Sequence, residues 1–236
     1  MNKLHLIGLA FVVALNSVAH AQNGPVIATG AMRNTMFNGQ LAGLISLDSL
    51  ARPGTFGIGP VEYLRGELLV LDGEVFRSTV LGDSTMKVEI VPATHAPFFV
   101  HQHVEQWTEV PLPSTVIDLA SLDAFLTERY GMLGQAFAFR MIGDFSVIDV
   151  HIVDVTPGTV ITGPEDAHRE NKHFHLHGSA AEAIGFFSTK HKAVFTHHDT
   201  DIHVHAITSD RNSMGHVEAM RFEPGGILLL IALTER

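Results

Sequence analysis

A chain of 236 residues with 46% hydrophobic and 17% charged residues has the composition of a globular protein able to bury a core. Its formal net charge of -10 works against tracking a phosphate backbone, so no nucleic-acid partner is expected. There is no cysteine, which excludes disulfides and thiolate metal sites and leaves His, Asp and Glu to hold any transition metal.

Residues 1–21 read as a secretory signal peptide: Lys3 in a short n-region, an apolar run from Leu6 to Leu15, and the small-x-small site Ala19-His20-Ala21. The run is too short for a membrane span, and no later segment reaches the ~18 apolar residues such a span needs. The expectation is therefore an exported protein, periplasmic or extracellular, beginning near Gln22. Removing residues 1–21, which carry Lys3 and no acid, takes the formal charge to -11.

The remainder, 22–236, shows no internal repeat and no long linker. "TMFNGQLAGLISLDSLA" places apolar residues at helical spacing and predicts a short helix. "GELLVLDGEVFRS" predicts a hairpin around Asp72-Gly73, a favoured tight-turn pair. "MKVEIVPA" and "PFFVHQHVEQW" predict strands, and Ser121 is a candidate cap for a helix over "LDAFLTERYGM". "AFAFRMIGDFSVIDVHIVDV" predicts two strands joined near Gly143-Asp144. "HFHLHGS", "AIGFFST", "DIHVHAIT", "GHVEAMRFE" and "GILLLIAL" predict five more. The fold class is α+β, mostly antiparallel β, with few helices.

Sixteen histidines make metal binding the main functional question. In a strand, His203 and His205 project from one face while Ile202 and Val204 take the other. "TSDRNSMG" is turn chemistry that returns the chain with His216 at the start of the next strand. Three converging imidazoles with open positions are the pattern of a catalytic metal site. Ligand type does not choose among zinc, iron, nickel and copper. The opposing reading is a set of surface histidines on a polar sheet face. Two other clusters compete, His173/His175/His177 and His101/His103, and His197 and His198 lie just upstream of the trio. "HLHGSAAE" has the H-x-H-x4-E core of a cupin motif without its flanking glycines. Asp201, on the face of His203, is a candidate to orient a ligand ring.

Several stretches in order resemble the acetolactate decarboxylase family. "HVHAITSDRNSMGHV" resembles that family's zinc-binding histidine signature, "LRGELLVLDGE" its acidic hairpin with the active-site glutamate at Glu67, and "FAFRMIGDF" the segment carrying its active-site arginine, here Arg140. "APFFV" and "AIGFF" resemble its flanking strands. The resemblance implies two closely packed β-rich subdomains, with the metal site in the half spanning 136–236. It also implies Zn²⁺ on His203, His205 and His216, and a small hydroxy-keto acid substrate, 2-acetolactate, converted to acetoin and CO2. On this reading Arg140 holds the carboxylate or the developing enediolate, and Glu67 transfers a proton. It allows a homodimer. A second family glutamate, on a tail beyond the last strand, has no residue matched to it here. After the arginine strand, where the family usually has a basic stretch, this chain has "IDVHIVDVTPG". Two rival readings stand beside it. One is an exported, non-catalytic metal-binding or oligomerising module akin to the plant-and-prokaryote conserved domain. The other is a related decarboxylase with a different 2-hydroxy-3-oxo acid.

Overall fold

The computed structural model describes residues 22–234; the segment 1–21, expected to be a signal peptide, lies outside them. The first half of the chain holds β1 (Ile27–Thr29), α1 (Met32–Asn38), β2 (Ile45–Ser46), β3 (Thr55–Pro60), β4 (Glu67–Leu71), β5 (Glu74–Gly82), β6 (Thr85–Ile90), β7 (His95–Ala96), β8 (Phe99–His103) and β9 (Thr108–Glu109). The second half holds α2 (Leu119–Tyr130), β10 (Phe137–Val153), α3 (Pro164–His168), β11 (Asn171–Phe187), β12 (Ile202–Thr208) and β13 (Met214–Ala232). The fold is mostly antiparallel β with few helices, as expected.

Two sheets carry the structure. One has six strands in the order β1-β8-β3-β4-β5-β6. In the other, β10 pairs with β11 on one side and β13 on the other, while β12 bridges β11 and β13. Those four strands close a ring, which removes the exposed edges of a flat sheet.

Period-two alternation sorts the side chains of the ring. Phe139, Met141, Ile148, Val150, Val204 and Ala206 fill one apolar cluster inside it, with Leu122, Leu126 and Tyr130 of α2 packed on the same cluster. The opposite face of the ring meets the six-stranded sheet: Ile184, Phe186 and Ile207 join Ile58, Leu69 and Phe76. Residues 67, 69 and 71 of β4 share that face, while Leu68 and Val70 belong to a separate cluster on the far side. The buried amide of Gln102 ties the halves together. It donates to the carbonyls of Gly24 (2.8 Å) and Ala232 (3.0 Å) and accepts from the backbone N–H of Ala138 (2.7 Å).

Local chemistry explains the elements, including several departures from expectation. The hairpin forms as predicted, with Asp72 and Gly73 both at positive φ (52° and 84°). The first helix is earlier and shorter than the periodicity suggested, because Gly39 in the left-handed region ends it. In α2 the cap is Asp118, not Ser121; Ser121 is the third helical residue and completes a reciprocal capping box.

The largest departure concerns strand length. The segment expected to be two strands joined at Gly143-Asp144 is one strand, β10. Gly143 (φ 155°) marks a register shift between Gly143 and Phe145, so it is a bulge rather than a turn. A side chain there would collide with the Gly226 carbonyl. The two pairs of strands expected around Gly178 and around Gly225-Gly226 are likewise single strands, β11 and β13.

Candidate metal centre and cavity

The histidine strands fold as the alternation demands. His205 on β12 pairs directly with His216 on β13, and the next neighbour of His216 across the ring is His151 on β10. His203 and His205 are buried on one face of β12, with Ile202 and Val204 in the apolar cluster on the other. The ring centroids of His203, His205 and His216 lie 4.8–5.3 Å apart. The structure thus brings the three expected rings together, while the histidines whose ring nitrogens lie within 4.8 Å of one another are His197, His203 and His216.

Each ring is held differently. His203 donates Nδ1–H to the Phe195 carbonyl (2.7 Å), which fixes its tautomer and leaves Nε2 with a free lone pair. That Nε2 faces His216 Nδ1 at 3.0 Å. Among the described residues neither ring nitrogen of fully buried His205 completes a hydrogen bond, although the Leu68 backbone lies close enough to favour the charged form slightly. An unpartnered polar atom at such depth costs about 1–3 kcal/mol unless something outside the chain satisfies it.

All of these rings are kept neutral. Burial, and after it nearby His151, lowers the pKa of His205 to about 3. Burial, then His205, pushes His203 well below its usual value. Burial, then His151, does the same to His216. Neutral imidazole is the ligating form, and orphaned nitrogens at full burial are a vacancy in the hydrogen-bond network that a cation would fill. The donor set suits zinc, and equally iron, nickel or copper. The residues present fit such a metal.

Glu67 faces this cluster from the other sheet. Its Oε2 lies 3.8 Å from His205 Nε2, and its Oε1 accepts the Val153 N–H at 3.2 Å. Burial raises its pKa well above the carboxylate range, opposed by the Val153 N–H. It enters from a tight segment in which Tyr63 and Leu64 are both left-handed (φ 60° and 53°), and Val155 N–H bonds the Leu64 carbonyl at 2.8 Å. Backbone in that region costs of order 1–3 kcal/mol per residue and persists only where packing holds it.

Glu67, His203, His205 and His216 share one cavity of about 280 Å³. Met32 and Met36 of α1, with Leu64, Phe98 and Val153, make its apolar wall. Arg140 does not line it. It lies on the same face of the ring, two strands from His205 through Ile184. Its Nε sits 2.5 Å from Glu182 Oε1, and its guanidinium lies over the Phe56 ring at 5.9 Å. Arg211 reaches the same carboxylate at 3.5 Å. A buried acid on the neighbouring strand has taken this arginine.

Three cavity residues were not legible as such. Arg33 of α1 reaches the cavity, His151 stacks on His216 (4.5 Å between centroids), and His197 stands beside His216. His151 was visible only as part of an unusual acidic, histidine-containing stretch. Its place in the cavity depends on a β10–β13 register set by bulges. Asp201 does not orient His203: it pairs with Lys192 (3.3 Å) and accepts from Thr127 Oγ1 (3.2 Å). The other clusters resolve separately. His101 is buried in β8, His103 contacts Glu105 (2.8 Å), and His173, His175 and His177 are exposed.

Fold and site together define an antiparallel two-sheet protein with a buried histidine cluster able to hold a metal ion beside a carboxyl whose pKa burial raises. The sequence profile of alpha-acetolactate decarboxylase matches residues 29–231, and the chain belongs to that family. It is 25% identical to an alpha-acetolactate decarboxylase of Brevibacillus brevis over 193 residues, 80% of this chain and 64% of the relative. It is 24% identical to one of Methanosarcina mazei over 188 residues, 79% of this chain and 62% of the relative. The chain thus spans a little under two thirds of the length of these curated relatives. The structure of the Bacillus subtilis strain 168 alpha-acetolactate decarboxylase superposes with a TM-score of 0.72 at 19% identity, covering 90% of this chain and 86% of that one. At that identity the likeness speaks for the fold.

Proposed function

We propose that this chain decarboxylates 2-acetolactate to acetoin and CO2 at a zinc centre on His203, His205 and His216. The observation that carries this reading is the buried Glu67 carboxyl 3.8 Å from the fully buried, unpartnered His205, both facing one small cavity. In the reaction the bond between the carboxylate carbon and the hydroxyl-bearing carbon breaks. Its electron pair passes into an enediolate with the adjacent ketone, and a proton then adds to the carbon that carried the carboxylate.

The bound ion supplies positive charge that stabilises the developing enediolate. The chain does the rest. Glu67, whose pKa burial raises, is the group to hold the proton that the carbon receives, and solvent restores it. The apolar wall of Met32, Met36 and Phe98 excludes water from the electron-rich carbon. Arg33 is the guanidinium placed to meet the substrate carboxylate, a role for which the sequence had suggested Arg140.

The test measures bound metal and acetoin release in the same sample. Wild type should hold about one zinc per chain and release acetoin. Arg33→Ala should keep the zinc and raise KM, whereas Arg140→Ala should act mainly on stability. Zinc without acetoin release from either enantiomer would overturn the substrate. The apolar wall favours one alternative, a 2-hydroxy-3-oxo acid with bulkier alkyl groups, and turnover across a series of such acids would reveal it. Export belongs to the same proposal; a mature N-terminus at Gln22 on protein recovered outside the cytoplasm would support it, and an unprocessed cytosolic chain would refute it.

A further inference from the structure

We infer that His197 supplies a fourth imidazole to the metal centre, so that three ligands come from strands and one from the segment between β11 and β12. This rests on the metal-centre reading above. His197 Nε2 lies 3.2 Å from His216 Nε2, and one ligand atom each from His197, His203 and His216 falls within 4.8 Å of the others. Two nitrogens bound to one ion at ~2.0–2.1 Å, with angles between 90° and the tetrahedral value, stand roughly 2.9–3.4 Å apart. The His197–His216 contact (3.2 Å) falls in that window, while the 3.0 Å contact of His203 is made to the other ring nitrogen of His216, Nδ1.

The segment that carries His197 is anchored on three sides. Phe195, two residues earlier, is buried, and its carbonyl accepts from the His203 ring. The Val194 and Ala193 carbonyls accept the first helical N–H groups of α1, from Met32 (2.8 Å) and Arg33 (2.9 Å). Ala193 holds a left-handed conformation (φ 57°), which turns the chain back toward the cavity. His197 is therefore presented by a built turn. The competing account is a plain hydrogen-bond chain, His197 to His216 to His203 to the Phe195 carbonyl, with His197 as a wall residue. The two accounts differ in the donor set that the ion would meet, four imidazoles in one and three in the other.

The experiment titrates Zn²⁺ against a chromophoric chelator and records the visible spectrum of the Co²⁺-substituted protein. Wild type, His197→Ala, His197→Gln and the exposed-histidine control His175→Ala are compared, with circular dichroism confirming that each folds. Loss of a supporting group alone typically costs 10–100-fold in metal affinity, so losing a ligand should weaken zinc binding by at least about tenfold. The cobalt bands should also shift in both His197 variants and not in the control. Unchanged affinity and an unchanged cobalt spectrum in both variants would overturn the fourth ligand while leaving the strand trio intact. A wild-type chain that takes up neither metal, with His203→Ala indistinguishable from it, would remove the centre and His197's role together.

Discussion

The same ring of strands carries two histidine ladders with the same H-x-H spacing and opposite fates. On β11, His173 and His175 are exposed and each contacts a carboxylate, Glu218 at 2.9 Å and Asp149 at 2.8 Å, while His177 points to solvent. On β12, His203 and His205 are buried against the second sheet and, among the described residues, contact no carboxylate closer than the 3.8 Å to Glu67. Spacing made both ladders candidates. Burial separates them, because only the second ladder is forced to stay neutral and left with ring nitrogens that the chain does not satisfy.

The sharpest way to break this contrast is to remove a ring from the buried ladder. His205→Ala should lose bound zinc by elemental analysis and bring acetoin release down to background; a variant that kept both would place the ion elsewhere. Next in size is the acid. Glu67→Gln should retain zinc and fold while kcat falls by about 10²–10⁴-fold, the usual share of a proton donor. An equal fall in metal content would make Glu67 a ligand support instead.

A smaller effect is expected from the packing that seats His216. A Cβ on Gly215 would stand 2.7 Å from the His151 carbonyl and 3.0 Å from Val150 Cβ. Gly215→Ala should therefore cost about 1–3 kcal/mol, read as a Tm lower by several degrees and a weaker metal site. The smallest effect belongs to the exposed ladder: His175→Ala should shift stability by no more than about 0.5 kcal/mol and leave zinc content unchanged. A loss of zinc there would erase the distinction between the ladders.

What the sequence made legible follows the range of the forces involved. The hairpin at Asp72-Gly73 and the strand trio rest on local rules, turn chemistry and period-two alternation, and both could be read residue by residue. Gly143, Gly178 and Gly225-Gly226 were read as strand ends because glycine is a frequent turn residue. In the ring, Gly143 and Gly225-Gly226 lie where β10 and β13 change register, and Gly178 (φ 60°) sits inside the unbroken β11. Arg140 was read from a motif, and its capture by Glu182 depends on a β10–β11 register that the motif does not contain. His197, His151 and Arg33 reach the cavity from a loop, a distant strand end and a helix. No local pattern links them, and only the closed fold puts them side by side.

Gln102 gives the arrangement a mechanical meaning. Glu67 belongs to one sheet and the histidines to the other, so the 3.8 Å gap between acid and imidazole is a distance across an interface, set by how the two sheets are seated. The Gln102 amide bolts that seat at 2.7–3.0 Å to the N-terminal lead, to β10 and to the end of β13. It lies outside the cavity lining, yet on the proposed reading it would set the alignment tolerance of the site: shear between the sheets would move Glu67 away from the histidines before a single strand came undone.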